Sequence, residues 1–229
     1  TQAEGKRVGI EIDMNTGTGW PFGGPNISIV DAATKALFQT YEVHGGQVLT
    51  LDISVQDKKQ QPHAILSRVM AYSDNGACLN LTSKASNGTL NWNAPAGKWD
   101  IVVLYIGKSL QKVKRAAPGG EGYVMDHFNK NAVKRYFAHF DKAFKENKST
   151  SPHTFFNDSY EVYGADWTPD LLEQFAKRRG YKLENHFPEF LSKERTDATA
   201  RIVADYRETI SDMLLENFTR QWTDWAHKH

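Results

Sequence analysis

The sequence predicts an α/β protein: part of a (β/α)8 TIM-type barrel with a β-rich insertion. Three observations predict this. Apolar runs of strand length lead into polar, glycine-bearing loops, and amphipathic helices follow those loops. A stretch of roughly 60 residues breaks that alternation, and what remains of the 229 residues falls short of the ~250 that a closed barrel takes. Barrel segments are predicted over 1–39 and 99–229, and the insertion over 40–98.

In chain order, Arg7 to Met14 reads as a short strand. The glycine-rich loop Asn15 to Pro25 follows, where glycines permit positive φ and close approach of other groups. From about Thr40 to Lys98, Thr, Val, Asn, Ser and Gly dominate, and turn signals recur at Ser73–Gly76, Ser86–Gly88 and Pro95–Gly97. The strands expected there are Leu49–Val55, Ala64–Tyr72, Ala77–Thr82 and Thr89–Asn93. Asp100 to Gly107 is a continuous apolar run, the pattern of a strand covered on both faces, and it is expected to return the chain to the main core. Ala132 to Asn147 is helical, with Val133, Tyr136, Phe137, Phe140 and Phe144 on one face. Thr154 to Phe156 is a strand, and a helix capped by Thr168, with Pro169 at its first position, runs to Gly180. A last helix extends from about Asp197 with apolar residues at helical spacing and no cap before His229, so the chain reads as a piece of a longer barrel.

The composition, 40% hydrophobic and 24% charged, is that of a globular chain. Twenty-eight basic against 27 acidic residues provide no field to attract nucleic acid or an anionic membrane. Cys78 is the only cysteine, which rules out an internal disulfide and leaves the compartment open. Gly17-Thr-Gly19 lacks the third glycine and the lysine of phosphate-binding loops, no His-x-x-x-His cluster points to zinc, and Ser159 has no nucleophile elbow around it. Lys108 to Arg115 is a short basic run without aromatic interleaving and reads as a solvated face.

Acids recur where strands end: Asp13, then Glu121 and Asp126, then Asp158 and Glu161. In a barrel those ends converge, and hydrolysis of a glycosidic bond needs two carboxyl groups across it. Glu161 is the first candidate for a catalytic acid or base; a solvated loop acid is the alternative. Asp158 equally suits bracing of the loop, and Asp13 an Asx-turn acceptor. Aromatic residues outside any helical or strand periodicity, Trp20, Phe22, Tyr123, Tyr160, Tyr163 and Trp167, offer flat faces for sugar rings, against the alternative that they fill core. Asn157, Asp126 and His127 complete the expected sugar-binding set; Asp126 beside His127 is also a weak metal-ligand signal, and calcium stays open because it needs only convergent oxygens.

Four segments together resemble glycoside hydrolase family 106, the bacterial α-L-rhamnosidases: Asp13–Pro25, Ala117–His127, Phe156–Pro169, and Asp205–Thr219 with Trp225-Ala-His227. The resemblance implies a large multidomain enzyme with a (β/α)8 catalytic barrel. Its action would be inverting removal of terminal α-L-rhamnose from a plant or microbial polysaccharide, with a calcium ion near the sugar, in the bacterial periplasm or outside the cell. One family glutamate falls on Glu161; the other belongs to the second half of the barrel, beyond this chain, so the isolated segment is expected to be inactive. A carbohydrate-binding or interaction module without chemistry is the alternative.

Overall fold

The computed structural model describes residues 1–157, 160–194 and 196–229, which divide into two compact units. The first comprises Thr1–Ala33, Ser109–Thr168 and Ser211–His229; the second comprises Thr34–Lys108 and Pro169–Ile210. No described helix is long and apolar enough to cross a membrane.

The second unit is built on a four-stranded antiparallel sheet. Lys98–Lys108 lies at its centre, flanked by Thr34–His44 over eleven residue pairs and by Ile65–Ser73, with Cys78–Asn80 at the edge. A second antiparallel sheet joins Val48–Asp52, Thr89–Asn93 and Ala85–Ser86. The two sheets share one core: Val69, Ala71, Ile101 and Val103 of the first meet Leu90 and Trp92 of the second, and Trp92 stands edge-on to Trp99 at 5.1 Å. The alternate residues of the central strand, Val102 and Leu104, are buried as well. The reverse side of the sheet is met by the short helix Phe187–Leu191, whose Phe187 and Phe190 take the ring of Phe38 at 5.1 and 6.0 Å. Beside that helix, Leu183–His186 is tied in through Tyr72, whose hydroxyl donates to the Glu184 carbonyl, and Leu171–Arg179 packs against Leu183–His186. Tyr181 donates to Asp205 at 2.7 Å on the helix Asp197–Met213.

The first unit gathers around the amphipathic helix Lys130–Glu146, which Asn129 caps by accepting from the amides of Asn131 and Ala132. Its apolar face meets Phe22, Ile27, Met125, Phe218 and Trp225, with Phe137 stacked on Trp225 at 4.8 Å. Phe218 lies in the π-helical segment Leu214–Arg220, and Trp225 in the helix Gln221–Ala226. Two small sheets complete the unit. Asp13–Asn15 pairs in parallel with Thr154–Phe156, and Gly23–Gly24 pairs antiparallel with Tyr123–Val124.

The expected partial (β/α)8 barrel is therefore corrected. Among the described residues the sheets are mainly antiparallel, one three-residue parallel pair is present, and no barrel closes. The misleading element is Asp100–Gly107, whose unbroken apolar run was expected to return the chain to a barrel core. Both of its faces are indeed covered, by a partner sheet on one side and a helix on the other, but that burial is reached within an antiparallel sheet. A continuous apolar pattern reports burial, not the direction of pairing. The N-terminus differs too. Gln2–Val8 is a helix ended by Gly9 at φ 75°, rich in good helix formers and braced by Arg7 on Glu4, and the strand is confined to Asp13–Asn15. The helix after the acidic loop starts later than expected, at Leu171 with Asp170 as its N-cap, because the Thr168 hydroxyl is engaged elsewhere.

Ile101 is fully buried between the sheets. Ile101→Ala should lower unfolding free energy by about 2–5 kcal/mol, read as a shift in urea midpoint without a change in slope.

Candidate functional site

The glycine-rich loop after Asp13–Asn15 is held by backbone contacts that only glycine allows. A Cβ on Gly23 would lie 2.3 Å from the Tyr123 carbonyl oxygen, and one on Gly122 would lie 1.9 Å from that of Gly24. These glycines serve close approach of two loops rather than of a phosphate. The loops are tied further by Thr18, whose hydroxyl donates to the Gly120 carbonyl at 2.7 Å. Trp20 and Lys114 exchange both backbone hydrogen bonds, at 3.1 and 2.9 Å. Segment 111–114 is thus an extended strap, bridged to Trp20 on one side and, through Lys112, to Tyr123 on the other.

Glu161 is anchored to the same strap. Gln111 donates from Nε2 to the Glu161 carbonyl at 3.0 Å and accepts from the Tyr163 amide at 2.6 Å, so one side chain clamps the backbone on both sides of Val162. Val162 itself is buried against Val113 and Val124. The Glu161 side chain is left half-buried, and the Tyr163 hydroxyl donates to its Oε2 at 2.6 Å. That donation raises the Tyr163 hydroxyl above the ordinary tyrosine range, so it stays a phenol and a donor at neutral pH. The Lys114 ammonium stands 4.8 Å from the Tyr163 ring centre and 5.3 Å from that of Trp20. A carboxylate, an ammonium and two aromatic faces, one of them the exposed ring of Tyr163, therefore meet at one surface. Such a surface can stack a sugar ring and move a proton at a bound oxygen.

The other expected residues divide. Trp20 belongs to this surface. Glu121 lies on the loop tied to it by Thr18, exposed, with Oε2 accepting from the Gly119 amide at 2.8 Å. Asn157 is half-buried just beyond Phe156, and Asp158 lies outside the described residues. Asp13 sits apart: it opens the parallel pair opposite Thr154, and its carboxylate faces His153 at 3.6 Å, whereas Glu161 follows the other end of that pair. Asp126, His127 and Trp167 are interior. Asp126 accepts from the Thr168 hydroxyl at 2.9 Å and from the Phe128 amide at 3.0 Å, which compensates the cost of burying a carboxylate. Tyr160 is half-buried and packs edge-on against His127 at 5.0 Å. Sequence reasoning named Tyr163 only as an aromatic face and passed over Gln111 and Lys114. Tyr163, two residues from Glu161, was within reach of a local reading; Gln111 and Lys114 approach only through the fold. The basic run does meet aromatic rings, but they come from distant segments.

Among the described residues no group of three or more His, Cys, Asp or Glu side chains converges to hold a metal ion, so the calcium that the resemblance implies has no such donor set within them.

His127 is held in the interior by its Nδ1, 2.8 Å from the Met125 carbonyl, and by the rings of Tyr160 and Phe218. Burial pulls its pKa down from 6.5 to about 4, with the hydrogen bond to Met125 opposing. The folded state therefore refuses a proton that the unfolded chain takes up below pH 6.5. The stability is complete above pH 6.5 and falls as pH drops toward 4, by up to about 3 kcal/mol. Urea midpoints of the parent and of His127→Phe, compared at pH 7.5 and pH 5, should show a smaller acid loss in the variant.

Comparison with known proteins places the chain in a family. The family model of glycoside hydrolase family 106, described as alpha-L-rhamnosidase, covers residues 54–229. A protein of Formosa agariphila named "Putative beta-glucuronidase" is 26% identical over 270 aligned residues, covering 99% of this chain and 23% of the relative. A solved rhamnosidase from Novosphingobium sp. PP1Y superposes with a TM-score of 0.77 at 17% identity, over 99% of this chain and 39% of its own, and so shares the fold. The chain thus spans about a quarter of the curated relative and two-fifths of the solved one. With the family model matching most of its length, the chain belongs to glycoside hydrolase family 106.

Proposed function

We propose that this chain supplies one catalytic carboxylate, Glu161, and part of the sugar-binding surface of a glycosidase that removes terminal α-L-rhamnose from a polysaccharide with inversion. The observation that carries the reading is the fixing of Glu161 by Gln111 and Tyr163 beside the aromatic faces, within a chain of this family. Tyr163 occupies Oε2; among the described residues Oε1 accepts no hydrogen bond, which leaves it to exchange a proton with the glycosidic oxygen or the attacking water. Inversion needs a second carboxyl group ~6.5–9.5 Å away, leaving room for that water. We place it in the part of the protein outside these residues, since the chain spans only 39% of the solved rhamnosidase. Trp20, Glu121, Asn157 and Asp158 are proposed to help hold the sugar. The name of the Formosa relative supports a second reading, in which the sugar removed is a glucuronic acid. Hydrolysis of aryl α-L-rhamnoside against aryl β-glucuronide by the full-length protein separates the two.

In that protein, Glu161→Gln should lower kcat on the preferred aryl glycoside by about 10²–10⁴ while the melting temperature moves little, because Gln keeps the shape but carries no transferable proton. A kcat within a few-fold of the parent removes Glu161 from the mechanism. Tyr163→Phe should lower kcat by about tenfold with KM nearly unchanged and displace the pH profile, as expected when a positioning donor to the carboxylate is lost.

A further inference from the structure

Lys112 and Lys114 are the two charged residues of the strap whose neighbours in the chain, Gln111 and Val113, are used for anchoring and packing. In an extended segment side chains alternate, so with Val113 buried, Lys112 and Lys114 project together to the exposed side. Each ammonium rests on aromatic rings from elsewhere in the unit: Lys112 stands 3.4 Å from the centre of the Tyr123 ring, and Lys114 lies near both Trp20 and Tyr163. Neither ammonium is ion-paired with a described residue. Lys98 and Lys142, by contrast, lie 2.8 and 3.8 Å from Glu42 and Glu146. The rings hold the ammonium groups in place without neutralising them.

We propose that Lys112 and Lys114 form an anion subsite beside Glu161, and that the glycan taken here carries an acidic group, the carboxylate of a uronic acid or a sulfate ester, on a sugar ring close to the bond that is cut. This deepens the function proposed above and rests on it for the place of the cut. The chemistry fits the surface: the ring of an acidic sugar can stack on Trp20 or Tyr163 while its anionic group reaches an ammonium already ordered over those rings. The net charge of only +1 means that the attraction is local to this strap and not a field of the whole chain.

The test is calorimetric binding to the full-length protein, parent and Lys112→Met/Lys114→Met, where Met keeps an apolar stem over the rings. Three rhamnose-terminated oligosaccharides of equal length are used: one with a uronic acid next to the rhamnose, its carboxyl-reduced neutral counterpart, and a sulfated form of the latter. The parent should bind an acidic form about tenfold more tightly than the neutral one at low salt, with the ratio shrinking as salt rises. In the double variant the ratio should approach one. Preference for the uronate form alone, or equally for the sulfated form, identifies the source of the anion. A parent ratio near one, a ratio that survives the double substitution in a folded variant, or no binding of any of the three overturns the proposal. If the variant does not fold, the parent's ratio and its salt dependence still decide. Turnover of an aryl α-L-rhamnoside, followed separately, tests the glycosidase reading: selective acidic binding without turnover keeps the subsite and removes that reading.

Discussion

The surface around Glu161 depends on the backbone hydrogen bonds of one short strap. Residues 111–114 add themselves between the glycine-rich loop and the loop that follows, exchanging both bonds with Trp20 and pairing Lys112 with Tyr123. Backbone bonds of this kind leave no freedom in which side chains face out, because alternation follows from the extended conformation. Once Val113 turns inward, Lys112 and Lys114 must turn outward, and Gln111 is left where its amide reaches both sides of Val162. The glycines at 23 and 122 matter because any side chain there would meet the backbone of the segment being joined.

Beneath this surface Asp126 and His127 are internal and have fixed partners. Asp126 takes hydrogen bonds from Thr168 and Phe128, and His127 faces the Met125 carbonyl with its ring packed among Tyr160 and Phe218. Buried groups with fixed partners hold loop geometry at the cost of any contact with solvent. Glu161 is arranged the other way: its backbone is clamped while its carboxylate stays half-exposed, with a phenol setting its direction. That contrast separates bracing acids from one available to a ligand.

The second unit illustrates a different constraint. Its central strand Lys98–Lys108 is buried on both faces, so it accepts neighbours on two edges and cover on two sides, and the long pairing with Thr34–His44 follows from that length. Nothing in such a strand specifies parallel neighbours. Tight turns join only the outer antiparallel pairs, Ile65–Ser73 with Cys78–Asn80 and Ala85–Ser86 with Thr89–Asn93, whereas a parallel pair would need a longer crossover.

The sequence by itself determined what depends on neighbouring residues. The strand Thr89–Asn93, the aromatic face of Lys130–Glu146 and the Gly180 stop are set by periodicity and backbone preference, which act within a few residues. The family was legible as well, through four spaced segments that the family model largely overlaps. Only the tertiary structure decided the direction of strand pairing, because a side-chain pattern is the same for parallel and antiparallel partners. It alone decided that Thr168 serves Asp126 instead of a helix end, and that Asp13 and Glu161 lie at different ends of one strand pair. It also brought Trp20, Gln111, Lys114 and Glu161 together, since contacts across such sequence separations are made by packing and backbone pairing, to which no local pattern refers.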